Sequence, residues 1–263
     1  MRNSQKTKSR SKLYNAIGGV KELTGASGVM GTWTILFPNL AAVGDTIKVG
    51  PYYWEYVADG SEDAALDSAG TAAAPHLISI GGTPTATTAA ANLVTSLLAE
   101  TNTSGAWGFL YPDDSVGASN SAGTVTIRFW PGTAPNATGY VATVSSVGTA
   151  PTVTKTVTGV VAKVASPDYY YNFINTTGSA QAKELYVIPD GSKGDTVRVM
   201  TTVSADSDTP TLLGHLLDGA TANVEALFAA GEDGMTAEFV WTGSGWLLTR
   251  EGIGTALVFT AAA

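Results

Sequence analysis

Few side chains in this sequence are equipped for chemistry. It carries two histidines, His76 and His215, no cysteine, and 22 acids among 263 residues. An imidazole serves as a general base only with its proton donor within hydrogen-bond reach. His76 follows Pro75 in a short strand-like stretch, and His215 lies inside the apolar run Leu212 to Leu217. Neither has a neighbouring acid, a serine nucleophile motif or a second histidine at the spacing of a zinc helix. Both are therefore expected to be core or surface histidines. The lack of cysteine removes thiolate nucleophiles, zinc–thiolate sites, iron–sulfur clusters and disulfides. No Gly-x-Ser-x-Gly elbow or Walker loop occurs, and the spacing by threes of Gly25, Gly28 and Gly31 does not match a dinucleotide fingerprint.

Two acidic clusters are candidates for a hard cation: Asp59 with Glu62, Asp63 and Asp67, and Asp206 with Asp208. Calcium takes about six to eight oxygens from a loop of defined spacing, which neither stretch has, so both are expected to be solvated loops. Asp113-Asp114 reads as a turn. Glycosidases work with two carboxylates, but no pair here is set apart from the rest. The expectation is a protein without catalytic residues, cofactor or metal. Aromatic residues cluster in Tyr169-Tyr170-Tyr171, Tyr52-Tyr53-Trp54 and the pair Trp241 and Trp246. On a strand, adjacent side chains point to opposite faces, so each trio offers at most two rings to one side. Packing is the simpler account, with glycan binding as its rival. Trp241 and Trp246 flank Thr242-Gly243-Ser244-Gly245 and are expected to face each other across a hairpin.

Charge is distributed unevenly. The first 21 residues hold six of the 14 cations, and the remaining 242 carry eight cations against 22 acids, a net of −14. Arg2, Lys6, Lys8, Arg10 and Lys12 form a basic arm that is too polar to fold alone. It docks on neighbouring protein, stays solvated, or touches nucleic acid, which the acidic body disfavours. No apolar run approaches the ~20 residues of a membrane helix, and no apolar stretch follows the N-terminal cations as in a secretory leader. A soluble chain made and kept in a cytoplasm is expected. Charged residues make up 14%, against about 25% in an average globular protein. Small residues replace them, as on the contacting surfaces of large assemblies.

The elements follow from periodicity. Residues 13 to 31 lack a sustained period and read as a linker or clasp, so that residues 1–31 form arm and linker. Trp33, Ile35 and Phe37 share one face of a first strand. Gly44 to Val49 and Pro51 to Val57 read as a hairpin, and His76 to Ile80 as a short strand after an acidic loop. One amphipathic helix is predicted over 83–101, with Thr83 as cap, Pro84 at the first helical position, and a stripe through Ala89/Ala90, Leu93/Val94 and Leu97/Leu98. Trp107 to Tyr111, Gly123 to Trp130 and Gly139 to Ser145 supply further strands. Residues 148 to 164 are an edge strand or an extended connector. An α+β domain over 32–165 is thus predicted. Ser166-Pro167 marks the boundary to a C-terminal β-sandwich or jelly-roll-like domain over 166–263, whose strand signals recur at short intervals. Thr211 to Leu217 and Ala222 to Phe228 are expected to be helical turns at one of its ends. The fold class is mainly β.

One pattern occurs twice. Phe37-Pro38-Asn39 precedes Gly44-Asp45-Thr46-Ile47-Lys48-Val49, and Ile188-Pro189-Asp190 precedes Gly194-Asp195-Thr196-Val197-Arg198-Val199. A shared way of turning the chain and a duplicated domain are both open readings.

The stretch GDTIKVGPYYWEYV, then TATTAAANLVTSLLAE, then TVTIRFWPGTAPNATGYVATV resembles a module of tailed-bacteriophage structural proteins, which has this order of strand, Tyr-centred strand, Ala/Asn/Leu-rich helix and late strand. Pro135-Asn136 stands where that module has Gly-Asn, and a long acidic loop interrupts the strand pair. LYVIPDGSKGDTVRVMTTV with AEFVWTGSGWLLTREG is similar to the small β domains of phage head-decoration and fibre proteins. The resemblance implies a virion protein without catalytic residues. The reading it favours is a capsid decoration or cement protein at the capsid surface. Its arm would grip the major capsid protein, and its C-terminal domain would make a homotrimer or project outward. A tail, neck or baseplate fibre component, or a glycan-binding attachment module, is the alternative.

Overall fold

A computed structural model of the chain describes residues 18–23, 28–63, 68–100, 110, 117–130, 136–176, 184–203, 209–218, 221–228, 234–252 and 257–261. The protein is mainly β, with one described helix. It divides into two compact units, one over Val29–Val161 and one that joins the described residues before Val29 to those from Ala162 onward. The first strand, β1 (Gly18–Leu23), belongs to the second of these, where Leu23 is buried. The sequence expectation made this stretch part of a linker and placed the boundary at 165/166. The stretch GGVKEL has no alternation of apolar and polar residues that would announce a strand. Arg2, Lys6, Lys8, Arg10 and Lys12 lie outside the described residues.

The unit Val29–Val161 contains β2 (Thr32–Leu36), β3 (Thr46–Val49), β4 (Tyr52–Val57), β5 (His76–Ser79), helix α1 (Ala86–Ala99), β6 (Ala118–Ser121), β7 (Thr124–Arg128), β8 (Val141–Ser145) and β9 (Thr152–Val157). The strands form two four-stranded sheets, β6-β7-β2-β9 and β5-β4-β3-β8. Alternation on β2 buries Trp33 and Ile35, and β3 and β4 bury Ile47, Val49, Trp54 and Tyr56. Together with Val125, Ile127 and Phe129, these residues meet Ala89, Ala90, Leu93 and Leu97 of α1 in one hydrophobic cluster. Two buried hydrogen bonds tie α1 to β4: Trp54 Nε1 donates to Ser96 Oγ at 3.0 Å, and Tyr56 Oη donates to the Ala89 carbonyl at 2.7 Å.

The helix begins later than predicted. Thr85, not Thr83, is the cap: its backbone is extended and its hydroxyl accepts from Thr88 N at 3.0 Å. Pro84 therefore precedes the cap instead of opening the helix. The strand expected over Trp107 to Tyr111 lies outside the described residues except for Leu110, which bridges to Phe129. Of the stretch 148 to 164, residues Thr152–Val157 are an edge strand on β2.

The other unit contains β1, β10 (Lys163–Val164), β11 (Tyr169–Thr176), β12 (Glu184–Val187), β13 (Thr196–Val203), β14 (Pro210–Asp218), β15 (Thr221–Leu227), β16 (Thr236–Trp241), β17 (Trp246–Glu251) and β18 (Val258–Ala261). They form one ten-stranded mixed sheet in the order β1-β11-β13-β16-β17-β14-β12-β10, with β15 on β14 and β18 on β15. Strands β14 and β15 occupy the stretches expected to be helical turns. Leu212, Leu213, Leu216 and Leu217 mimic a helical stripe, but residues 210–214 are buried without a break, as in a strand covered on both faces. Trp241 and Trp246 pair across the β16–β17 hairpin, with ring centroids 5.3 Å apart at 64°, as the sequence suggested. Trp246 Nε1 also donates to the Pro189 carbonyl at 2.9 Å.

Candidate functional site

His76 has polar company that its sequence neighbours did not reveal. Its Nδ1 lies 3.0 Å from Ser68 Oγ, and its Nε2 lies 3.2 Å from Glu100 Oε2 at the C-terminal end of α1. The hydroxyl comes from the loop eight residues upstream and the acid from a helix end 24 residues downstream, so local spacing could not expose them. The Ser68 contact is a hydrogen bond, whereas Nε2 makes none among the described residues and meets Glu100 only at ion-pair distance. His76 is 1% exposed, its ring packs against Trp54 and Tyr52, and Gly70 lies so close that a Cβ there would collide with Nε2. The imidazole is thus enclosed by Gly70, Tyr52 and Trp54. His215, half-buried beside Trp241, places Nδ1 3.5 Å from Asp190 Oδ1. Burial pushes its pKa below the ordinary histidine value, and the carboxylate works against that shift.

Of the acidic candidates, Asp59, Glu62 and Asp63 line a cleft of about 420 Å³ against Thr88 and Asn92 of α1. Asp59 Oδ1 accepts from Ser79 Oγ at 2.8 Å and Asp63 Oδ2 accepts from Ser68 N at 2.9 Å, so both carboxylates brace the loop. Among the described residues no three His, Asp or Glu side chains are placed to hold a metal ion. Asp67, Asp113, Asp114, Asp206 and Asp208 lie outside the described residues, as does Gly25. Gly28 and Gly31 lie on a bridge and just before β2.

The feature best suited to function is an apolar end of the Val29–Val161 unit. Leu40 and Val43 precede β3, and Val144 and Val147 lie at and after the end of β8. They are exposed to 53%, 51%, 53% and 72%. Asp45 holds the two segments together. Asp45 is 2% exposed, and its carboxylate accepts from Ala42 N at 2.8 Å through Oδ2 and from Val147 N at 2.7 Å through Oδ1. Ser145 Oγ adds a bond to the Gly44 carbonyl at 3.0 Å, and Val147 Cγ2 would lie 3.3 Å from a Cβ on Gly44. Four large aliphatic side chains thus face water, and the segments that carry Val43 and Val147 are pinned to each other by Asp45. Sequence reasoning missed this surface, because isolated valines and a leucine in loops carry no period. No protein family, curated protein or solved structure matches this chain.

The buried Asp45 also affects its surroundings. Burial, with the Asp45 charge adding to it, pushes the Tyr56 phenol well above its ordinary pKa, and burial alone raises that of Tyr140. No helix among the described residues is long and apolar enough to cross a membrane.

Proposed function

We propose that the protein is a structural component of a tailed-phage virion, a decoration or cement protein that binds the outside of the head shell. The observation that carries this reading is the pinned apolar end formed by Leu40, Val43, Val144 and Val147. Covering its residues would remove apolar surface from water, and the Asp45 clamp lowers the entropy that ordering two loops on binding would cost. A low content of charged residues and a mainly β architecture support the same reading. Covering the four side chains stabilises the assembly by ~25 cal/mol per Å² of apolar area removed from water, repeated at every copy. The major capsid protein is the proposed partner, with the arm residues Arg2, Lys6, Lys8, Arg10 and Lys12 as a second grip and a homotrimer as the bound form. With this goes a sandwich or jelly-roll-like wrapping of the C-terminal strands, supported by the single hydrophobic cluster that Ile174, Val197, Leu212, Phe239 and Trp246 share.

Mixing the purified chain, intact and lacking residues 1 to 13, with decoration-free phage heads tests the reading by sedimentation and electron microscopy. Stoichiometric coating at symmetry-related positions supports it. Heads that stay bare at saturating intact protein move the protein to the tail or to host attachment.

A further inference from the structure

The open face of the ten-stranded sheet carries a second feature, independent of the virion reading. Val197 and Val199 of β13 and Ala237 and Phe239 of β16 are buried in the core, so Arg198 and Glu238 point to the other face. Arg198 stands directly opposite Glu238, and Glu238 directly opposite Arg250 of β17. With Tyr171 of β11, these side chains line a depression of about 480 Å³, which Thr236 and Glu251 extend. Arg128, Arg198 and Arg250 are the three arginines beyond the N-terminal arm, and two of them meet here.

The groups in the depression are not equivalent. Arg198 Nε is committed to Glu238 Oε2 at 2.5 Å, and Glu251 Oε1 accepts from Leu257 N at 3.2 Å. Arg250 is exposed, and its guanidinium has no hydrogen bond or ion pair among the described residues. A free guanidinium offers two parallel N–H groups to a planar carboxylate. The half-buried Tyr171 ring supplies an apolar face, and the carboxylates of Glu238 and Glu251 have lone pairs left to accept from hydroxyl groups. One acid group, several hydroxyls and a flat apolar face occur together in a uronic-acid or similar carboxylated sugar. A phosphomonoester dianion would instead meet two carboxylates with no hydroxyl on phosphorus to offer them.

We infer that this depression binds a carboxylated saccharide, with Arg250 taking the carboxylate, Tyr171 stacking on the ring, and Glu238 and Glu251 accepting from its hydroxyls. The test is a titration of the full chain with trigalacturonate and with neutral galactotriose, followed by calorimetry and by chemical-shift changes at Gly252 and Thr236. The expected result is saturable binding of trigalacturonate and none of galactotriose. Arg250→Gln, a substitution at an exposed side chain, is expected to weaken binding about tenfold or more, and Tyr171→Ala likewise, with the thermal melt of Arg250→Gln unchanged. Equal binding of the neutral sugar, no saturable binding, or binding that persists unchanged in both variants would overturn the inference.

Discussion

Asp45 and Asp195 close the same turn in the two units of the chain. Each follows a glycine with positive φ, 91° at Gly44 and 92° at Gly194. Each carboxylate accepts from the backbone N–H three residues upstream, at 2.8 Å from Ala42 and 2.8 Å from Ser192. In each, the glycine N–H donates to the carbonyl of an aromatic residue on the next strand, Tyr56 or Trp241, whose N–H returns a bond to the aspartate carbonyl. Beyond the turn the settings part. Strand β3 has the antiparallel β8 on its second side, whereas β13 has the parallel β11. This divergence favours a shared turn over a duplicated domain as the source of the repeated sequence.

The two aspartates differ in what they hold, which predicts unequal costs of removal. Asp45 bonds a second backbone N–H, that of Val147, and is the more deeply buried. Asp45→Ala is expected to lower unfolding free energy by about 3 kcal/mol and Asp195→Ala by about 1 kcal/mol. Urea titrations of the two variants measure the difference, and equal losses would show that the Val147 bond contributes nothing.

Tyr56 predicts an alkaline weakness. Its phenol is protonated in the folded protein well past the point at which the unfolded chain ionises, near pH ~10. The folded state therefore holds more protons in that window, and the stability involved is complete below pH ~10 and lost as pH rises toward the folded value. Tyr56→Phe is expected to cost about 1–2 kcal/mol at neutral pH through the lost bond to Ala89, and to flatten the fall in urea midpoint between pH 9 and 11. Tyr140, also raised, leaves a residual slope. An unchanged slope in the variant would assign the alkaline loss elsewhere.

The Ser68–His76–Glu100 bridge is predicted to be inert toward electrophiles. A serine-directed fluorophosphonate is expected to leave the intact mass unchanged, because His76 lies sealed behind Gly70, Tyr52 and Trp54. Glu100→Ala, by contrast, is expected to destabilise the fold by about 1–3 kcal/mol, since it strips a buried imidazole of its partner. A mass increase mapped to Ser68 would make the bridge a nucleophilic site.

What the sequence made legible was set by range. Alternating patterns such as Trp33, Ile35, Phe37 and the stripe Ala89, Leu93, Leu97 announce themselves within a few residues, and the strands and the helix were found where these patterns lie. The start of the helix was misplaced by two residues because Thr83 and Thr85 are equally good caps in sequence. Backbone geometry, which no propensity records, selects Thr85. The Leu212 to Leu217 run was misread because a strand buried on both faces carries no alternation. The candidate surfaces were the least legible. The segment of Asp45 reaches Val147 only after β3 and β8 pair, Glu100 reaches His76 only after α1 packs, and the Arg198, Glu238 and Arg250 row exists only in the register of three strands.

The apolar end is predicted to matter for binding and not for folding. Leu40→Ser and Val147→Lys are each expected to change unfolding free energy by no more than about 0.5 kcal/mol, as exposed substitutions do, while Val125→Ser in the core lowers it severalfold more. If Val147→Lys unfolded the protein, the side chain would be serving the unit's own stability.

The most direct measurement counts copies of the Leu40→Ser/Val147→Lys double variant on decoration-free phage heads, beside the unaltered chain at the same concentration. The expected result is a head coated by the unaltered chain and left bare by a variant whose thermal melt is unchanged. Coating by both to the same level would contradict it, because the apolar end would then be exposed for some purpose other than the shell.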